Sequence, residues 1–131
     1  MTLPKRTSCG CVHRTRPWGW YETIDGTHKN YKIKKIFVNP NKRFSLQYHN
    51  ERQEHWIVLE GSGLALVNNY EEWITPGKHF NIPQGSRHRL TAGDSGILIM
   101  EVQYGSTCTE DDIVRLEDDF GRVGMQEYST D

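Results

Sequence analysis

The sequence predicts an all-β fold of antiparallel strands, arranged as a sandwich or a small barrel. Short strand-like runs recur at regular spacing, and segments rich in Gly, Pro and Asn separate them, which is typical of such folds. The connections are too short for the helical crossovers that parallel strands require. The predicted strands are 32–38, 44–49, 55–60, 63–67, 71–75, 79–82, 87–91 and 97–103.

The sequence also predicts one short C-terminal helix after the last strand. An acidic run at 110–112 places carboxylates where a helix N-terminus favours negative charge. Apolar residues then follow at roughly helical spacing as far as Phe120, and Gly121 can end the helix.

The chain has 131 residues, which fits one domain. We expect residues 1–15 to form a flexible N-terminal arm, 16–122 to form the domain, and 123–131 to form a C-terminal tail. No apolar run approaches the roughly 20 residues of a membrane span, and the start lacks the apolar stretch of a secretory signal. These features predict a cytoplasmic protein with no membrane partner.

The charge distribution and the cysteines argue against nucleic-acid binding, a disulfide framework and a structural zinc site. The net charge is −1, but residues 1–43 carry +8 and residues 44–131 carry −9. A global basic excess is missing, so we expect no nucleic-acid partner. Three cysteines cannot form a complete disulfide framework. Cys9, Cys11, His13 and Cys108 allow a metal cluster, but structural zinc usually needs paired short spacings, which favours reduced cysteines.

The segment 44–56 carries the chemistry. Alternate residues of a strand share a face, so Gln47 and His49 can point together into the interior. Glu54 opens the next strand, and a Pro-x-Gly turn at 83–85 can bring His88 across the sheet. Two imidazoles, a carboxylate and an amide oxygen suit a divalent transition metal. The alternative is a polar strand face without a metal.

This pattern resembles the two cupin motifs. The first motif, G-x5-H-x-H-x3–4-E-x6-G, has Gln47 at its first His, with Asn41 in place of the opening glycine. The second, G-x5-P-x-G-x2-H-x3-N, has Ala92 in place of the final Asn. The other matching residues are His49, Glu54, Gly61, Gly77, Pro83, Gly85 and His88. The resemblance implies an antiparallel jelly-roll barrel, on which many functions occur.

A finer resemblance is to type II mannose-6-phosphate isomerases, the C-terminal cupin module of mannose-1-phosphate guanylyltransferase/mannose-6-phosphate isomerase proteins. It covers roughly residues 16–122, and this chain departs from it at Asn50 and Glu51, where His is frequent. The segments that carry it are 16–22, 45–49, 52–56, 101–105, 110–118 and 120–122.

The resemblance implies that Gln47, His49, Glu54 and His88 bind a divalent metal, which could be Zn, Mn, Co, Ni or Fe, with Zn favoured. It also implies interconversion of mannose 6-phosphate and fructose 6-phosphate through an enediolate. Because one carboxylate offsets the metal, the centre keeps a formal charge near +1 that can polarise the sugar carbonyl.

Two catalytic residues and three substrate contacts complete the expected site. Arg52 is expected to act on the substrate oxygens, with a solvated turn arginine as the alternative. Glu101 is the candidate base, with a buried glutamate that has a packing role as the alternative. Phosphate recognition needs cations, for which Lys34, Arg87 and Arg115 are the candidates. Lys32 shares a strand face with Lys34, and the sequence slightly favours a solvent-facing position for both.

The partner expected for this site is a small hexose phosphate, and we expect a homodimer. A non-catalytic cupin that binds a sugar phosphate or a nucleotide sugar and assists a partner enzyme is the alternative function. An oxygen-dependent iron cupin is a third, less favoured because its ligand set usually has more imidazole.

Overall fold

The computed structural model describes residues 5–6 and 12–124, and the side chains of residues 13–124. These residues contain ten β-strands, and every paired strand is antiparallel. The strands are β1 Lys5–Arg6, β2 Val12–Arg16, β3 Gly19–Asp25, β4 Tyr31–Val38, β5 Leu46–Tyr48, β6 Arg52–Val67, β7 Tyr70–Ile74, β8 His79–Ile82, β9 His88–Gly105 and β10 Val114–Glu117.

The strands form a single curled sheet in the order β1-β2-β3-β4-β9-β5-β10, with β6 pairing with β7, β8 and β9. This is the predicted all-β, antiparallel jelly roll, so the fold class is confirmed. β6 and β9 are long strands that each replace two predicted ones, and they pair with one another along most of their lengths. Register shifts near Gly61 bend this pair, so that one strand serves both sides of the barrel.

Gly61 is required at the bend by its backbone. Its φ is +74°, and a Cβ added there would lie 2.1 Å from the carbonyl oxygen of Gly96 on β9. Side-chain-bearing residues rarely adopt this conformation, and the close approach of the two backbones excludes one. The closing glycine of the first cupin motif therefore has a structural role.

The barrel interior is divided into a polar end and an apolar end. Three neighbouring strands each point two polar residues and then two apolar residues inward. On β4 the order is Lys32, Lys34, Ile36, Val38; on β6 it is Arg52, Glu54, Trp56, Val58; on β9, read backwards, it is Gln103, Glu101, Ile99, Ile97. The apolar end packs with Ile74, Ile82 and Leu90 into the hydrophobic core, whereas the polar end surrounds the candidate site.

The predicted helix is wrong for the segment in which the sequence placed it. Residues 114–117 form β10, where Arg115 is buried and pairs with Gln47 of β5. The carboxylate of Asp112 accepts hydrogen bonds from the backbone amides of Asn50 and Glu51, at 2.9 and 2.8 Å. Tertiary pairing to β5 therefore outweighs the local helical pattern.

The structure describes only part of the two chain ends. β2 crosses residue 15, where the sequence analysis ends the flexible arm, and pairs with β3 over its whole length. Cys9 and Cys11 lie outside the described residues, while Cys108 is a buried free thiol. Most of the expected tail, from residue 125 onward, also lies outside them. No helix in the described part of the chain is long and apolar enough to cross a membrane.

Candidate metal centre

Three strand ends bring two histidines and a glutamate together at the polar end of the barrel. His49 follows β5, Glu54 lies near the start of β6, and His88 opens β9, where it pairs with Gln47. One ligand atom from each of His49, Glu54 and His88 lies within 4.8 Å of the other two. All three residues are 97% or more buried, with exposed fractions of 3, 2 and 1%.

Hydrogen bonds at Nδ1 orient both imidazoles. His49 Nδ1 lies 2.5 Å from the carbonyl oxygen of Asp112, and His88 Nδ1 lies 2.9 Å from that of Ser86. Since a carbonyl only accepts, each Nδ1 carries the proton and each Nε2 presents a lone pair to the centre. His88 Nε2 is buried without a hydrogen-bond partner among the described residues. Metal-binding histidines are held in this way, so these residues fit a divalent metal.

Charge at the centre follows from burial and from the neighbouring cations. Burial raises the pKa of Glu54, but His49, Arg52 and His88 outweigh it and hold that pKa well below its usual range. Trp56 Nε1 also donates to the carboxylate, at 3.1 Å. Burial lowers the pKa of His88 to about 4. Near neutral pH the centre therefore presents a carboxylate and a neutral His88.

Arg52 touches the same ligand atoms. Its Nη2 lies 3.0 Å from Glu54 Oε2 and 3.2 Å from His49 Nε2, and its Nη1 donates to the Thr109 carbonyl at 2.9 Å. An imidazole nitrogen has one lone pair, so His49 Nε2 can accept from Arg52 or bind a metal, but not both. Metal binding therefore requires Arg52 Nη2 to leave His49.

Gln47 is brought to the edge of the centre with its amide nitrogen towards His49. The Gln47 Nε2 to His49 Nε2 distance is 3.3 Å, while the Gln47 amide oxygen accepts from Ser45 Oγ at 2.6 Å. In this orientation the oxygen that would bind a metal is engaged elsewhere. The role of Gln47 as a fourth ligand stays a prediction.

A cavity of about 70 Å³ adjoins the centre. Its lining contains five cationic side chains and two glutamates, so it favours an anion. The cations are Arg16, Lys34, Arg52, Arg115 and Arg122, and the glutamates are Glu101 and Glu110. Three aromatic side chains, Trp18, Tyr21 and Phe44, cover part of the wall.

Glu101 lies in this wall, 4% exposed, on the strand between β4 and β6. Burial and then the charge of Glu54 raise the pKa of Glu101 to about 7, and Gln103 Nε2 donates to its carboxylate at 2.5 Å. A carboxylate that titrates near neutral pH is suited to accept and return a proton.

The structure places two of the three expected substrate contacts at the cavity and the third at a different surface. Lys34 and Arg115 line the cavity, whereas Arg87 is exposed and lines a different surface depression with Leu46 and Glu71. Lys32 and Lys34 are each 3% exposed, so the solvent-facing position favoured by the sequence is wrong. Their shared face with Ile36 and Val38 was the available signal, because those apolar residues point into the core.

Sequence reasoning missed the contribution of residues 109–112. Thr109 accepts from Arg52, the Glu110 carboxylate contacts both Lys32 and Lys34, and Asp112 binds His49. The acidic run also fits a helix start, so the linear pattern does not indicate these contacts. We call residues 109–112 the strap.

The sheet and the buried histidines and glutamate define a cupin, and solved structures agree on the fold. Oxalate decarboxylase from Bacillus subtilis superimposes with a TM-score of 0.74 at 15% identity, over 88% of this chain and 33% of that one. The protein Rru_A2000 from Rhodospirillum rubrum, described as a cupin-2 domain, gives 0.68 at 16% identity over 82% of this chain and 78% of its own.

Within that class, the chain belongs to the family described as the C-terminal domain of mannose-6-phosphate isomerase, whose model matches residues 6–118. The mannose-1-phosphate guanylyltransferase ManC of Salmonella typhimurium is 38% identical over 86% of the chain, and the alginate biosynthesis protein AlgA of Pseudomonas aeruginosa is 43% identical over 82%. This chain spans about a quarter of their lengths, 24% and 22% respectively.

Proposed function

We propose that this chain is a metal-dependent aldose–ketose isomerase that interconverts mannose 6-phosphate and fructose 6-phosphate. The observation that carries the proposal is the convergence of His49 Nε2 and His88 Nε2 on the Glu54 carboxylate, at 3.1 and 3.7 Å, next to a cation-rich cavity. Membership of the isomerase-domain family supports the sugar phosphate as substrate.

His49, Glu54 and His88 would hold the metal, with Gln47 as a further expected ligand. When bound, a divalent metal supplies Lewis acidity that withdraws electron density from the sugar carbonyl. Because both histidines already point Nε2 inward, binding requires little rearrangement of the rings. If His49 Nε2 held the metal, Arg52 Nη2 would no longer contact that nitrogen, and its guanidinium would be available to bind a sugar oxygen.

Glu101 is the proposed base. Its carboxylate takes the proton from C2 of the aldose and returns it to C1, and the hydroxyl proton on O2 passes to O1, so that the sugar is isomerised without net change. With a pKa of about 7, Glu101 is ionised in roughly half of the molecules at neutral pH and can both accept and donate. With a metal held beside Glu54, the contribution of that carboxylate to the Glu101 pKa would be smaller, and the pKa would lie below about 7.

The direct test follows mannose 6-phosphate and fructose 6-phosphate by nuclear magnetic resonance with purified chain. We expect conversion by metal-loaded protein, none after chelation, and recovery on adding back Zn²⁺ or Mn²⁺. His49→Ala should be inactive, whereas His55→Ala, on the opposite face of β6, should keep activity. Unchanged turnover by metal-free protein would remove the metal from the proposal.

One observation favours the alternative function, a cupin that binds a sugar phosphate without acting on it. Arg52 already satisfies Glu54 and His49, so the site holds a cation of its own. Under this alternative, calorimetry detects mannose 6-phosphate binding that chelation does not alter, and no fructose 6-phosphate forms under any metal condition.

A further inference from the structure

Glu110 lines the cavity, and its carboxylate contacts two buried lysines. Lys32 Nζ is 3.5 Å from Glu110 Oε1, and Lys34 Nζ contacts the same oxygen. Both lysine side chains are 4% exposed and that of Glu110 is 11% exposed. Two ammonium groups that converge on one oxygen away from solvent form an anion-binding site, and in this structure the strap supplies the anion.

The charges of this site fit a phosphate group better than a carboxylate. The Glu110 carboxylate brings one negative charge to the two ammonium groups. A phosphate monoester carries about −1.5 to −2 near pH 7 and offers three strong acceptor oxygens. A phosphate monoester in place of the Glu110 carboxylate therefore brings more negative charge and one more acceptor oxygen to the two ammonium groups.

The lysines also lie at a suitable distance from the metal centre. Lys32 and Glu54 flank Gln103 from opposite sides of β9, so their backbones are two strand spacings, about 10 Å, apart. In a hexose 6-phosphate the phosphate is at the opposite end of the carbon chain from C1 and C2. A phosphate held by the lysines leaves the reacting carbons directed towards Glu54 and Glu101.

Glu110 is placed where it can move while its neighbours stay. At one end of the strap, the Thr109 carbonyl accepts from Arg52 Nη1. At the other, the Asp112 carboxylate holds the amides of Asn50 and Glu51. Between these anchors lie only Glu110 and the exposed Asp111, in a turn rather than a strand.

We propose that Lys32 and Lys34 form the phosphate subsite, and that Glu110 occupies it in the ligand-free protein and gives way to the incoming phosphate. The sugar part of the ligand rests on the proposed function, whereas the exchange of one anion for another does not depend on turnover. Glu110 thus acts as a built-in competitor that sets the affinity for phosphorylated sugars.

Calorimetric titration of the purified full chain with inorganic phosphate and with mannose 6-phosphate tests this exchange. It is performed before and after chelation, so that phosphate bound to a metal is not counted. Glu110→Gln removes the competing charge and should bind both ligands at least about tenfold more tightly. Glu60→Gln removes the same charge from the exposed surface and should leave both affinities unchanged. Lys34→Met should abolish binding of inorganic phosphate.

A second variant covers the case in which Glu110→Gln does not fold. Glu110→Asp keeps the charge but withdraws it from the lysines by one methylene, and should also bind phosphate more tightly. Unchanged or weaker phosphate binding by the folded variants would show that Glu110 is a fixed neutralising group and would overturn the proposal. So would wild-type phosphate affinity in Lys34→Met. A negative isomerase assay alone overturns the proposed function and leaves this exchange intact.

Discussion

The Nδ1 atom of His49 lies 2.5 Å from the backbone carbonyl oxygen of Asp112, 63 residues later in the chain. Through this contact the strap selects the imidazole tautomer that presents Nε2 to the centre. The Asp112 carboxylate at the same time fixes the turn that follows His49, by accepting from two of its backbone amides. One residue of the strap thus positions a metal ligand in two ways.

Asp112→Ala should weaken metal binding by about 10- to 100-fold, the usual effect of losing an outer partner of a metal-binding histidine. The variant keeps the carbonyl but frees the turn, so His49 loses its fixed orientation. Asp111→Ala, at the exposed neighbouring position, is the matched control. Competition with a chromogenic chelator measures the affinities. Equal affinities in Asp112→Ala and wild type would contradict the positioning role, and Asp112→Asn should restore part of the loss.

Arg52→Met should bind the metal more tightly and turn over more slowly. Removing the guanidinium abolishes both its competition for His49 Nε2 and its repulsion of a second cation, while the substrate loses a donor. Metal affinity and kcat therefore change in opposite directions, which a merely destabilised site would not produce. If Arg52→Met bound the metal more weakly than the wild type, Arg52 would support the metal centre instead of competing with the metal.

Glu101→Gln should retain the metal and the substrate but lose activity, by about 10²- to 10⁴-fold in kcat, because the base is missing. In the wild type, Glu101 must be ionised to accept the C2 proton. Because a bound metal would lower the Glu101 pKa from about 7, kcat/KM of the metal-loaded enzyme should rise with pH to a plateau, with a midpoint below pH 7. Steady-state kinetics between pH 5.5 and 8.5 would check both statements. An active Glu101→Gln enzyme with a normal pH profile would assign the base elsewhere.

Metal-free protein should lose stability to acid through His88. The pKa of His88 is lowered from 6.5 to about 4 in the folded state. Between these two pH values the His88 imidazole is protonated in the unfolded chain and neutral in the folded chain. Stability is therefore complete above pH 6.5 and falls towards pH 4, by about 3 kcal/mol. Between pH 7 and pH 4.5, the stability of His88→Gln relative to its own value at pH 7 should be higher than that of the wild type in urea denaturation.

Glu101 works in the opposite direction over an overlapping range. Its folded pKa of about 7 exceeds the ordinary value of 4.5, so the folded state keeps the proton longer and stability falls as pH rises through this interval. The two slopes partly cancel between pH 4.5 and 6.5, and each becomes visible only when the other residue is replaced. Parallel pH slopes in wild type, His88→Gln and Glu101→Gln would contradict both assignments.

The sequence alone predicts the site residues whose local spacing matches the geometry of the barrel interior. His49, Glu54 and His88 lie at motif spacings that match strand geometry, and the structure brings all three together. The structure merges four predicted strands into the two long strands β6 and β9. The bends at Gly61 and Gly96 resemble turns in a linear pattern, so the sequence divides each long strand into two.

The rest depended on long-range pairing that a local pattern does not contain. Residues 110–120 carry acidic and apolar residues in a helix-like order, yet β5 recruits 114–117 as a strand. In the sequence, Lys34 resembles an exposed lysine that favours solubility. Its partner Glu110 lies 76 positions later, and only the fold brings the two together. Arg87 follows a motif turn but faces outward, because its neighbour His88 takes the inward position.

A metal titration of chelator-treated protein tests the central claim most directly. Calorimetry with Zn²⁺ or Mn²⁺ should give one site per chain in the wild type, and no measurable site in His49→Ala, Glu54→Gln or His88→Ala, while His55→Ala should match the wild type. Folding of each variant is checked by circular dichroism. A wild-type chain that binds no divalent metal, or that binds it equally well after all three replacements, would contradict the account.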